Sequence, residues 1–362
     1  NPRPLEVSDT LMIYSGRDVD QASGSSPRVE ALNAAHLRLL LTSAQISSSN
    51  QWADQPQAMM IQAWLLRKLR VLVALEQDET RADQLLSLVV LRSLNRRRSC
   101  WQLELEERQE PTGTSRISVI RTLLHEALSD GVARSQSWLI CCDSNDQDQL
   151  DLARELGFQP LRRFGVWRLD PSSQSGTPTS EMPPHCRWSA LDNSTARQLL
   201  ALEQACCSTH HRHILDRQWQ DLMDQRSKGC GLLERIDSDQ RQVLAGLVAR
   251  PSGFARPRLE LLRGLAWDDR LTEALPPALE RLARLQPTPE LLVDEDDARL
   301  QAIVQRCGFK SQQTQLVLGR SLWRKLGSRE LSGIRPLESM LGRLQPQQPP
   351  LPTPTLGRER SS

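Results

Sequence analysis

Apolar positions along the chain follow two rhythms that replace each other in a fixed order. Val71–Leu75 and Leu86–Leu91 are short, nearly continuous apolar runs on either side of the charged turn 77–83. That spacing predicts a hairpin of buried strands. Trp101–Glu106 alternates apolar and polar residues, as a strand does. From Ile117 to Leu128 the period lengthens to that of a helix, with Ile120, Leu124 and Leu128 one turn apart. A strand over Ser137–Cys142, a helix over Asp146–Leu156 and a strand over Phe164–Leu169 complete the series, and Gly157 suits the left-handed residue that ends a helix. Ala31–Leu41 and Ala58–Lys68 read as helices ahead of the hairpin. A strand–helix–strand order after a hairpin implies a parallel pair within a mixed sheet. The class is therefore α/β.

The whole order then recurs. Leu139-Ile-Cys-Cys-Asp143 corresponds to Glu290-Leu-Leu-Val-Asp294, and Gly157-Phe158 to Gly308-Phe309, at one common spacing. That spacing also carries Ile120, Leu124 and Leu128 onto Leu271, Leu275 and Leu279. Leu85–Arg92 falls on Val243–Arg250, and Leu103-Glu-Leu105 on Leu259-Glu-Leu261, with a shorter following loop in the second half. Such self-similarity marks a duplicated unit. The expected organisation is an N-terminal extension over 1–26 with a possible first strand at Leu11–Tyr14, a first domain over 27–170, and a Pro/Ser/Thr-rich linker over 171–185. A second domain over 186–325 and a Pro/Gln-rich, disordered tail over 326–362 follow, and that tail is a candidate for docking a protein partner.

Composition narrows the function classes. Lys and Arg number 46 against 44 Asp and Glu, a formal charge of +2, which argues against nucleic-acid binding by phosphate neutralisation. No apolar run reaches the ~18 residues of a membrane span, and the first residues, from Asn-Pro-Arg-Pro on, lack the apolar segment expected of a signal peptide. Neither a nucleic acid nor a membrane is expected as a partner. The 8 cysteines include two adjacent pairs and no CxxC, which favours reduced thiols and a cytoplasmic setting. Cys206, Cys207, His210, His211 and His213 are metal-ligand types, but adjacent pairs diverge and no second cluster completes a site, so surface histidines and no metal are expected. Arg96–Arg98 reads as a solvated turn, and His125 as a partly buried polar edge of its helix. P-loop, nucleophile-elbow and HExxH patterns are missing from the sequence.

Ser137–Asp146 followed by Leu152-Ala-Arg-Glu-Leu-Gly-Phe158, with its second copy Leu291–Asp297 and Ile303-Val-Gln-Arg-Cys-Gly-Phe309, resembles the C-terminal signature of the GNAT N-acetyltransferase superfamily. The resemblance covers most of both halves. It implies two GNAT-like domains in tandem, each a mixed sheet flanked by helices. It also implies an acyl-CoA, acetyl-CoA in the simplest case, held between splayed parallel strands with its diphosphate at a helix start. On the positions of this chain, the cofactor contacts would come from Leu103, Leu105, Ser115, Arg116, Ile117, Ser118, Val119, Ile120, Arg121 and Asp146. Glu104 and Glu106 share one strand face and are the candidate bases for deprotonating an amine acceptor.

The sequence departs from that pattern at two places. The family's phosphate loop carries glycines where this chain has Ser118 and Ile120, and the equivalent stretch of the second half, 266–271, places Asp268 and Asp269 at the diphosphate position. The tyrosine that protonates the leaving thiolate in the family corresponds to Ala153 and Val304. The expectation is an N-acyltransferase with its active site in the first half and a degenerate second half that shapes the acceptor cleft. The alternative is a catalytically inactive binding or assembly protein derived from the same fold.

Overall fold

The structure, a computed structural model, describes residues 27–36, 39, 69–76, 83–112, 114–129, 135–170, 181–236, 241–250, 258–286 and 288–321. Leu11–Tyr14, the expected helix Ala58–Lys68, most of the linker and the tail lie outside the described residues.

The first half contributes β1 (Arg28–Ala31), β2 (Leu69–Glu76), β3 (Gln84–Ser93), β4 (Cys100–Glu107), α1 (Arg116–Ser129), β5 (Ser137–Asp143), α2 (Gln147–Glu155) and β6 (Gln159–Leu169). The second supplies β7 (Cys186–Ala190), α3 (Asn193–Cys206), α4 (Thr209–Leu215), α5 (Trp219–Asp224) and β8 (Gly231–Ile236). It continues with β9 (Arg241–Arg250), β10 (Arg258–Arg263), α6 (Leu271–Leu285), β11 (Glu290–Asp294), α7 (Ala298–Arg306) and β12 (Phe309–Ser321). The duplication read from the sequence is thus a duplication of structure, from the hairpin through to the closing strand. Arg28–Ala31, whose end was expected to open a helix, is a strand antiparallel to β2. Among the described residues no helix is long and apolar enough to cross a membrane.

Burial explains the strand patterns. β2 and β3 are covered on both faces, so they read as unbroken apolar runs. β4 and β5 alternate instead. Trp101, Leu103, Trp138, Ile140 and Cys142 point to one face, where Ile120, Leu123 and Leu124 of α1 and Leu150 of α2 pack on them. Gln102, Glu104, Leu139 and Cys141 point to the other. α2 and α7 begin alike: Asp146 accepts from the Gln149 amide at 3.1 Å and Asp297 from the Leu300 amide at 3.1 Å. Both helices end on a left-handed glycine, Gly157 (φ 84°) and Gly308 (φ 85°).

All strands join one 12-stranded sheet, ordered β1-β2-β3-β4-β5-β12-β6-β11-β10-β9-β8-β7. The expected closing strand of the first half does not close that half. β6 pairs antiparallel with β11, from Glu290↔Arg168 to Asp294↔Phe164, and with β12. β12 in turn pairs with β5, from Gln315↔Asp143 to Ser321↔Ser137. In the sheet each closing strand pairs only with strands of the other half, so the two repeats complete each other. The exchange satisfies the edges that β5 and β11 would otherwise leave bare.

Each half also contains one parallel pair that parts midway. β4 and β5 are in register from Cys100↔Ser137 to Leu103↔Ile140, yet β4 runs on to Glu107 and β5 to Asp143. β10 and β11 pair only at Leu259↔Leu291 and Glu260↔Leu292 before diverging.

Candidate active site

Beyond Leu103 and Ile140 the two strands of the first half present main-chain groups with no ladder partner across the gap. A cavity of about 230 Å³ opens here on the face away from α1. Gln102, Glu104 and Leu105 of β4 and Cys141 of β5 form its first-half side, and Arg258 and Glu260 of β10 lie on its second-half side. Its remaining wall combines apolar Leu94, Leu139, Phe164, Leu215, Leu292 and Val317 with polar His211, Arg217, Arg250 and Gln315.

Glu104 is the distinctive group of this cavity. Gln102, two residues earlier on the same strand face, donates to its Oε1 at 2.7 Å. Burial pushes the carboxyl up to about 7, although Arg92 and Arg258 favour the anion. Glu106 lies on the same strand face and outside the cavity lining. Burial drives it further, to about 8, against the pull of Arg108 at 2.7 Å.

The repeat partner of Glu104 is Glu260, and its surroundings are opposite in kind. Glu260 is fully buried and accepts from Arg162 Nη1 at 2.6 Å and from Arg250. Burial alone would raise its pKa; Arg250 and Arg162 outweigh that and hold it below the usual carboxylate range. Arg162 also donates to Asp294 at 2.7 Å, Arg250 reaches Glu203 at 2.7 Å, and Arg217 donates to Glu203 at 2.8 Å. Three guanidiniums and three carboxylates thus occupy the second half at the level where the first half keeps a carboxyl hydrogen-bonded to a neutral amide. Arg162 comes from β6, so the strand exchange itself places one of them.

The gap mouths differ as well. In the first half Arg116, the first residue of α1, donates from Nε to Glu107 at 2.5 Å and from Nη2 to Asp146 at 2.7 Å. The Ser118 amide bonds the Ser115 hydroxyl at 3.2 Å and the Val119 amide bonds the Ser115 carbonyl at 3.2 Å. Ile117 is half-buried, while Val119 and Ile120 are buried against the sheet. Arg121 points outward to Glu155 at 2.8 Å. Leu103 is in the core and Leu105 lies in the opened stretch. Of the residues expected around a cofactor, the structure therefore brings Arg116, Ser115, Ser118 and Asp146 to one mouth, and no acidic residue occupies the first turn of α1.

At the second mouth Arg263 pairs with Asp297 and donates to the carbonyls of Gly264 at 2.8 Å and Leu265 at 3.1 Å. Asp268 accepts from the Arg270 amide at 3.0 Å, and Glu273 sits in the first turn of α6. Carboxylates therefore surround that helix start, where a diphosphate would be repelled.

Three expectations need correction. His211, read as a surface histidine, is 4% exposed and lines the cavity. Burial, with Arg250 nearby, pulls it down to about 4, so its ring is neutral near pH 7, and Nδ1 has no hydrogen-bond partner. The Arg96–Arg98 turn does not simply face solvent: the Arg96 amide bonds Asp221 at 2.7 Å and its guanidinium bonds Asp224 at 2.6 Å, tying the halves together. His125 is exposed on α1. Among the described residues no group of three or more His, Cys, Asp and Glu could hold a metal.

Arg258 was not singled out in the sequence. Arg258 occupies the position on β10 that Gln102 occupies on β4, two residues before the repeated Glu, and that alternation is the signal that marks it.

No protein-family model matches the chain, and no curated protein matches it. Its shape has counterparts among solved structures. A GCN5-related N-acetyltransferase from Sphaerobacter thermophilus superposes with a TM-score of 0.52 at 14% identity, over 82% of this chain and 96% of that one. A Drosophila protein superposes with a TM-score of 0.51 at 12% identity, over 80% of this chain and 97% of that one. At such identities the likeness is one of fold, and the fold is that of the GNAT N-acetyltransferases.

Proposed function

We propose that the first half transfers an acyl group, acetyl in the simplest case, from an acyl-CoA to an amine. The observation that carries this reading is the contrast between two equivalent carboxyls, Glu104 pushed up to about 7 beside an opened strand pair and Glu260 locked by arginines. A base that titrates near neutrality is matched to taking a proton from an ammonium acceptor.

The residues present fit an acyl-CoA in the first half. The unpaired edges of β4 and β5 suit the amides of a pantetheine arm, and Arg116 with the start of α1 suits a diphosphate. They do not fit in the second half, where Asp268, Asp269 and Glu273 gather at the helix start. When bound, the acyl-CoA supplies an activated thioester carbonyl. Glu104 holds the amine and takes its proton, Gln102 orients the Glu104 carboxyl, and the apolar wall excludes water that would otherwise compete as acceptor. No side chain need protonate the departing thiolate, whose pKa of about 8–9 makes it a tolerable leaving group. The second half supplies one wall of the acceptor cavity.

Release of free CoA thiol tests the reading. Full-length protein with acetyl-CoA and a primary amine should release thiol, and Glu104→Gln should lower that rate by roughly a hundredfold or more. An unchanged rate in the variant would overturn the assignment.

A second reading, a catalytically inactive binding protein, is favoured by the pairing of Arg116 with Glu107 and Asp146 across the mouth. Thiol release above the buffer rate excludes it.

A further inference from the structure

We infer that the acceptor is an α-amino acid with an apolar side chain, its carboxylate held by Arg258 and its amino group at Glu104. The inference rests on the reading of this cavity as an acceptor site and names the class of molecule it takes.

The charge arrangement carries the argument. Arg258 donates from Nε to Glu290 at 2.9 Å and from Nη1 to Gln315 at 2.9 Å, which leaves Nη2 without a hydrogen bond among the described residues. Glu290 is shared with a second guanidinium, that of the half-exposed Arg168, so Arg258 does not have that carboxylate to itself. The guanidinium lines the same cavity as Glu104 and lies close enough to act on its titration. A planar guanidinium with an open donor is the group best suited to a carboxylate.

A second observation points the same way. His211 lines this cavity, is 96% shielded from solvent, and has a ring nitrogen with no partner. Buried polar atoms are seldom left unpaired, and a ligand's polar group resolves the deficit. Phe164, Leu215, Leu292 and Val317 give the cavity an apolar surface that suits an apolar side chain, while Arg217 and Arg250, which also line it, are already engaged by Glu203 and Glu260. Apolar surface with convergent polar groups that fix orientation is the general form of a small-molecule site. The cavity, about 230 Å³, has room for a small amino acid.

The test compares three probes on the full chain by titration calorimetry: L-leucine, 3-methylbutylamine (leucine without its carboxylate) and 4-methylpentanoate (leucine without its amine). Leucine should bind at least tenfold more tightly than 3-methylbutylamine, and 4-methylpentanoate should compete with it. Arg258→Gln should erase the difference between leucine and the amine, and Arg258→Lys should restore part of it. Equal binding of leucine and the amine overturns the inference, as does no binding of either at ten millimolar. Should Arg258→Gln fail to fold, competition by 4-methylpentanoate in the unaltered protein decides. Thiol release separates this from the underlying reading. Transfer without a carboxylate preference refutes the amino-acid assignment alone, whereas carboxylate-dependent leucine binding without thiol release refutes acyl transfer alone.

Discussion

Replacing Glu104 by Gln changes one proton and little else, because the amide keeps the shape of the carboxyl and can still accept from Gln102. Burial moves this carboxyl from 4.5 to about 7. At about 1.4 kcal/mol per unit, ionising it within the folded chain costs about 3 kcal/mol more than ionising it unfolded. The folded state holds the proton more tightly, so this group's contribution to stability is fullest below pH 4.5 and is lost as the pH rises through 7. Glu104→Gln removes that loss. Relative to the unaltered protein, the variant should gain under about 1 kcal/mol near pH 5 and about 3 kcal/mol near pH 9. Urea denaturation at the two pH values reads the difference directly, and the same variant should show the loss of thiol release. A gain of equal size at both pH values would refute the argument, because it would mean that Glu104 ionises in the folded chain as easily as in water.

Other outcomes follow from the remaining charges. Arg116→Ala should weaken acetyl-CoA binding at least tenfold by calorimetry, and Glu107→Gln should strengthen it several-fold by releasing the guanidinium. Glu260→Gln should destabilise the protein by up to about 3 kcal/mol in urea, since Arg162 and Arg250, largely buried, lose their shared carboxylate and keep only Asp294 and Glu203. Residues 27–170 produced alone should aggregate or dimerise on a sizing column, because β5 and β6 lose the strand that lies between them.

Much of the first half could be read from its pattern, because hairpin, alternating strand and amphipathic helix each bury a face dictated by local spacing. Glu104 was legible for the same reason: alternation with Leu103 and Leu105 sets it on the face away from α1. The exchange of β6 and β12 was not, since Gln159–Leu169 says only that it is a strand, and its partner lies more than a hundred residues away. Nor was the locked state of the second half. Glu260 looks like Glu104 in sequence, and only the arrival of Arg162 on the exchanged strand and of Arg250 on β9 makes it an immobile ion pair. His211 was misread because a short helix rich in histidine looks solvated until the sheet face it covers is known. Arg28–Ala31 is too short to carry a period.

Calorimetric titration of the full chain with acetyl-CoA tests the central claim most directly. One saturable site per chain is the predicted result, and it should be weakened by Arg116→Ala and unaffected by Asp268→Asn. Absence of heat at millimolar acetyl-CoA, or two equivalent sites, would contradict the account.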